Sequence, residues 1–322
     1  MRISWIDRAK GILILFVILG HVVGSASNAS DGMLKDLYGS VFKSIYLFHM
    51  PAFFMLAGLT LTKFDVKKKF FRLLIPYFSF GVISIFVFVL CARGVEYRWW
   101  HPWASLLYGA TFPGTDGFRC NSVLWFLPCL FATTWIASFL WKIELRWPRW
   151  GLAFLIGVAT FSILGFVAYN RVLGMPLPYG LNLVIKYLPF VIVGHYLPRM
   201  ISTKMNWLGL LALACYLLAL PFAPFDWDMY TTYWKWGGTV LMGGLGCLGC
   251  FVLSNLMPCK LLTRIGEVSI GMMMVHKWFV LGLNQVGCRN VIIVFVGVCV
   301  VSYGLSMAMK RFAPWLLGER RI

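Results

Sequence analysis

The chain is short of charge, and shortest of acid. Only 12% of its 322 residues are charged, with 11 Asp and Glu against 29 Lys and Arg. A soluble domain carries about 25% charged residues, so an ordinary soluble fold is excluded. No low-complexity tract, internal repeat or separate soluble domain is present. The nine cysteines are an odd number, and most lie inside apolar runs (Cys91, Cys129, Cys215, Cys247, Cys250, Cys299). They read as small core residues rather than a disulfide framework. Only Cys247 and Cys250 have Cys-x-x-Cys spacing. They sit in a Gly-rich stretch without a nearby His, which speaks against metal or redox use. Strict apolar/polar alternation is also missing, and that excludes a β-barrel.

What is present is apolar: 60% of the residues are hydrophobic. Apolar segments run over 9–27, 41–61, 73–92, 122–141, 151–168, 183–200, 207–222, 235–254, 268–286 and 291–310, with boundaries good to a few residues. Helix is the way such runs satisfy their backbone in lipid. The expected fold is all-α, a polytopic integral membrane bundle of about ten transmembrane helices, with residues 1–322 forming one membrane-embedded domain. The net charge of +18 invites a nucleic-acid reading. The basic residues lie between hydrophobic runs, however, and not in one stripe. With the N-terminus inside, every inner loop is basic and both termini come out cytoplasmic. A cleavable signal peptide is the competing reading of the N-terminus. Asp7 and His21 are unusual for one. Aromatic residues make up 17% of the chain, including 15 Trp. Those near residues 93–121 (Tyr97, Trp99, Trp100, Trp103, beside His101, Asp116 and Arg119) and 226–236 (Trp227, Tyr230, Tyr233, Trp234, beside Asp228) read first as an interfacial belt, and second as a sugar-binding surface.

Within this apolar background the histidines stand out. His21 lies deep in the first segment, and ten residues separate it from Lys10. At 1.5 Å per residue it falls ~18 Å from the inner edge. His49 in the second segment falls ~18 Å from that edge, and His276 in the ninth ~12 Å, so three imidazoles lie within about two turns of one level. His195 in the sixth comes out at a similar depth but has no motif around it, and it reads as structural. An ionisable residue in a span is a functional candidate by default. A neutral imidazole there can take a hydroxyl proton. Metal binding by the same histidines is the rival chemistry, but no carboxylate or thiol sits at their level with ligand spacing, so no metal is expected. The densest basic cluster, Lys63 to Arg72, sits in an inner loop. Topology alone accounts for it. Its functional reading is an anionic ligand held by Lys69 and Arg72, one turn apart, with Lys10 at the same face.

Five stretches carry a family resemblance. They are IDRAKGILILFVILGH, LFHMPAFFMLAGL, the basic loop leading into RLLIPYF, NSVLWFLPCLF, and IGEVSIGMMMVHKW. In this order the chain resembles the membrane-embedded family-three acyltransferases, within them the fucose 4-O-acetylase-like branch. The resemblance implies a bacterial inner-membrane enzyme that moves an acyl group, usually acetyl, from acetyl-CoA to a hydroxyl of a cell-surface or lipid-linked glycan. Lys10 and His21 match the family's essential basic–His pair, and His49 and His276 match motifs of their own. Lys69 and Arg72 align with a two-arginine pattern that holds the coenzyme. Lysine at the first position keeps the charge but loses the planar fork.

The expected catalytic residues are therefore His21, His49 and His276, and the cosubstrate-binding residues Lys10, Lys69 and Arg72. The expected partners are acyl-CoA, a glycan acceptor and membrane lipids, not nucleic acid. A homo-oligomer is left open. Two other readings compete. A transporter or flippase would collect ionisable residues at midplane, and matched broken helices would favour it. A structural membrane subunit would leave the buried histidines and Lys277 unexplained.

Overall fold

The computed structural model describes residues 4–61, 65–91, 100–110, 121–146, 150–173, 177–200, 206–222 and 233–319. Among them there is no strand. The helices are α1 (Ser4–Asn28), α2 (Gly32–Tyr46), α3 (His49–Thr60), α4 (Val66–Lys69), α5 (Ile75–Cys91), α6 (His101–Leu107), α7 (Phe126–Arg146), α8 (Gly151–Val172), α9 (Leu181–Met200), α10 (Asn206–Ala219), α11 (Tyr233–Leu256), α12 (Lys260–Glu267), α13 (Ser269–Gln285) and α14 (Val291–Phe312). Every apolar segment read from the sequence falls on a helix. Among the described residues, six helical stretches are long and apolar enough to cross a membrane, and shorter apolar helices accompany them. The protein is a polytopic helical membrane bundle.

The second segment departs from expectation. The sequence suggested one span over 41–61. The structure has two helices, the first starting at Gly32, with a break at Leu47 and Phe48. Pro51 accounts for it. Proline has no N–H for the carbonyl four residues back, that of Leu47, and its ring crowds that carbonyl. The Phe48 carbonyl accepts the Ala52 amide at 2.9 Å and also the Cys247 thiol at 3.5 Å, which gives that cysteine a packing role in the core.

The third segment opens differently. Asp65 caps α4 by accepting from the Lys68 amide at 2.9 Å. The chain then passes through a π turn, Phe70–Leu74, into α5. Such turns are rare and appear frequently at functional sites. This one carries Arg72 on its exposed side.

The helices are tied by more than apolar packing. Buried Arg8 donates to the Ser254 carbonyl at 2.6 Å and to Ser4 Oγ at 3.2 Å, joining α1 to α11. Gly58 of α3 and Gly194 of α9 let two backbones meet, since a Cβ on either would overlap the other helix. Close approach through small residues is how membrane helices pack without a hydrophobic driving force. The outer side of α14 exposes Ile292, Ile293, Val296 and Val300, a face suited to lipid. Both chain ends gather at one face of the bundle. There Gly266 abuts Asp7, Lys310 approaches Glu267 at 3.9 Å, and Gly318 abuts Arg72.

Candidate active site

Three of the expected residues come together. His21 on α1, His49 at the start of α3 and His276 on α13 form one cluster around Tyr46, the last residue of α2. The His21 and His276 ring centroids lie 5.2 Å apart. Tyr46 stands edge-on to both His21 (6.2 Å) and His49 (4.7 Å). Lys277, next to His276, brings its ammonium 3.4 Å from His21 Nδ1, and the Tyr46 hydroxyl lies at 3.4 Å from the same nitrogen.

Local structure sets the orientation of two rings. The Ile45 carbonyl, which takes the Phe48 amide at 3.3 Å, also accepts the His49 Nδ1–H at 2.8 Å. The His276 Nδ1–H donates to the Met272 carbonyl, one turn back, at 3.1 Å. A carbonyl only accepts, so in both neutral rings the proton sits on Nδ1 and Nε2 carries the lone pair. His276 is fully buried, and its Nε2 has no hydrogen-bond partner. Buried polar atoms are nearly always bonded, so an exception calls for an explanation.

A polar brace stands behind α13. Buried Asn121 donates to the Met274 carbonyl at 2.7 Å and to Ser84 Oγ at 3.2 Å, and Trp278 donates to the same hydroxyl at 3.0 Å. These contacts tie α13 to α5 on either side of His276. No local pattern marks this brace, because each member is an ordinary residue in its own segment. Tyr46 could have been found from its spacing, three residues before His49 on the same turn.

The cationic residues form a second group. Lys10 is eleven residues below His21 on α1, about 16 Å along the axis. The two do not touch. Lys10 instead approaches Asp7 at 3.6 Å. Lys69 lies ahead of the apolar stretch that begins at Leu73. Arg72, Lys10 and Lys68 are its cationic neighbours. Lys69 and Arg72 have no hydrogen bond or carboxylate partner among the described residues.

His195 belongs to neither group. It stacks on Trp141 at 4.1 Å and lies 3.6 Å from the Glu144 carboxylate, which also accepts from the Tyr196 hydroxyl. Its expected depth beside the other histidines is thus replaced by a place against the end of α7. Among the described residues, no three His, Cys, Asp or Glu groups are placed to share a metal ion. Of the aromatic stretches, Trp100 and Trp103 are exposed beside α6. Tyr97, Trp99, Asp116, Arg119, Trp227, Asp228 and Tyr230 lie outside the described residues.

A family model described as an acyltransferase domain matches residues 3–311. The chain belongs to this acyltransferase family. A stretch of 65 residues is 40% identical to nodulation protein NolL of Mesorhizobium japonicum (strain LMG 29417 / CECT 9101 / MAFF 303099). That stretch covers 20% of this chain and 17% of the other. No solved structure matches the chain.

Proposed function

We propose that the protein transfers an acetyl group from acetyl-CoA to a hydroxyl of a cell-surface or lipid-linked polysaccharide. It does so as one domain over residues 1–322 of a bacterial inner membrane, with both termini cytoplasmic. The observation that carries this reading is the separation of two sites on one helix. Lys10, Lys69 and Arg72 make a phosphate-seeking group at the end of the bundle. His21, His49 and His276 lie about three turns away through the bundle. An acyl-CoA has the same plan, with an anionic nucleotide at one end and a thioester at the end of a long flexible arm. The basic-loop pattern puts the cationic end at the cytoplasmic face, where the coenzyme is.

In the transfer, an imidazole of the cluster removes the proton of the acceptor hydroxyl as its oxygen attacks the thioester carbonyl. The thiolate leaves and takes the proton back. Membership of an acyltransferase family sets aside the transporter reading, although the break between α2 and α3 is of a kind that transporters use. The test is release of free thiol from acetyl-CoA by membranes containing the protein, dependent on added glycan, with mass analysis of the glycan for a gained acetyl group. Glycan that gains acetyl groups equally without the protein overturns the proposal.

A further inference from the structure

His21 has a polar partner on one side and an unused one on the other. Its Nδ1 faces the Lys277 ammonium and the Tyr46 hydroxyl, each at 3.4 Å. An ammonium only donates, so Nδ1 holds the lone pair and the neutral ring carries its proton on Nε2. His276 presents the complement, a buried Nε2 with a lone pair and no partner. The two ring centroids lie 5.2 Å apart, and no hydrogen bond joins the rings in this structure. His276, anchored by the Met272 carbonyl, is the neighbour that accepts the Nε2–H of His21 once a turn of the His21 ring closes the gap, which fixes Nδ1 as the basic atom.

Lys277 remains to be explained. It is partly buried, inside a helix of the bundle, and among the described residues no carboxylate pairs with it. A buried cation without a counter-ion is costly unless something negative arrives. We infer that Lys277 is a further catalytic residue, whose ammonium, together with the Tyr46 hydroxyl, donates to the oxygen of the acyl carbonyl while His21, held by His276, takes the acceptor's proton. The inference rests on the acyl-transfer reading given above.

The step balances as follows. The acceptor oxygen forms a bond to the acyl carbon, and its proton passes to His21 Nδ1. The carbonyl π pair moves onto oxygen, where Lys277 and Tyr46 donate to it. The pair returns, the C–S bond breaks, and the thiolate takes the proton from the imidazolium. The ester leaves with the acetyl group, and both donors are restored. The like charges of Lys277 and imidazolium coexist only while the oxyanion lies between them. This is differential stabilisation of the transition state.

The test uses the full-length protein in membranes at matched abundance, with acetyl-CoA as donor and isolated surface glycan as acceptor. Lys277→Met should lower kcat by about 10²–10³-fold with KM for acetyl-CoA unchanged, the loss expected for one oxyanion donor. Lys277→Arg, which keeps a cationic donor, should recover part of the rate. His276→Gln, whose amide oxygen can accept from His21, should retain more rate than His276→Ala. Lys277→Met within about threefold of wild type overturns the inference, as does a rise in KM at constant kcat, which is uniform binding. A wild-type membrane that releases no thiol overturns instead the acyl-transfer reading, and the assignment with it.

Discussion

Gly11 of α1 and Gly266 of α12 pack backbone to backbone. A Cβ built on Gly266 would overlap the Asp7 carbonyl and lie 3.0 Å from the Gly11 amide nitrogen. A Cβ built on Gly11 would overlap the Leu262 carbonyl. Both sites are backbone, which cannot swing aside as a side chain can. Gly266→Ala should therefore destabilise the protein by about 1–3 kcal/mol or more, the range for overpacking. It should also displace Lys10 relative to Lys69, since α12 wedges α1 at that level. The measurement is thermal unfolding in detergent together with the affinity for coenzyme A. A variant with wild-type stability would show that α12 can move away from α1.

The proposed coenzyme site has its own test. Lys69 and Arg72 lie one turn apart, and neither has a carboxylate partner among the described residues. Replacing both by Gln should weaken coenzyme A binding far more than glycan binding, because only the coenzyme is strongly anionic. Lys69→Arg keeps the charge and should retain the affinity. Titration calorimetry of coenzyme A checks both, and an unchanged affinity in the double variant would contradict the assignment.

The bundle was legible in the sequence because membrane helices need long apolar runs, and every run is helical, the second as two helices. The convergence of His21, His49 and His276 was legible too, because rise per residue fixes depth within a span. Depth is not direction, however. His195 has a fitting depth count and stands elsewhere, beside Glu144, because its face of α9 is turned to α7. The break after Tyr46 needed Pro51 to be weighed against a segment that otherwise reads as continuous. The Asn121–Ser84–Trp278 brace joins residues far apart in the chain, and nothing local marks it.

Pro51 gives a test of the break. Pro51→Ala restores an amide donor for the Leu47 carbonyl and lets α2 run on into α3. Straightening the chain there would carry the His49 ring and its Ile45 anchor away from Tyr46 and His21. The expected result is unchanged or higher stability, with kcat lower by about 10-fold or more, since small misplacements of this kind can cost up to about 10². Thermal unfolding and thiol release on the same preparation separate the two effects.

The common face of the two ends predicts the behaviour of tags. Asp7, Gly266, Glu267, Lys310, Arg72 and Gly318 meet at one side of the bundle. Reporters fused ahead of Met1 and after Ile322 should thus share a compartment. On the proposed orientation that compartment is the cytoplasm. A reporter pair split across the membrane would contradict the helix arrangement itself.

His21→Ala removes the proposed base, and glycan acetylation at matched protein levels should fall by about 10²–10⁴-fold. Stability should fall as well, for a reason that lies in Lys277 rather than in His21. The Lys277 ammonium has His21 Nδ1 as its hydrogen-bond acceptor, at 3.4 Å. Deleting the imidazole leaves a partly buried cation unsatisfied, at a cost of about 1–3 kcal/mol. Adding Lys277→Met to His21→Ala removes the stranded charge. The double variant should thus unfold later than His21→Ala alone and remain just as inactive. Non-additive stability with no rescue of activity is the signature of two groups that face each other and act in one step. Additive stability would mean that the two side chains do not interact, and near-normal acetylation by His21→Ala would move the search for the base to His49 and His276.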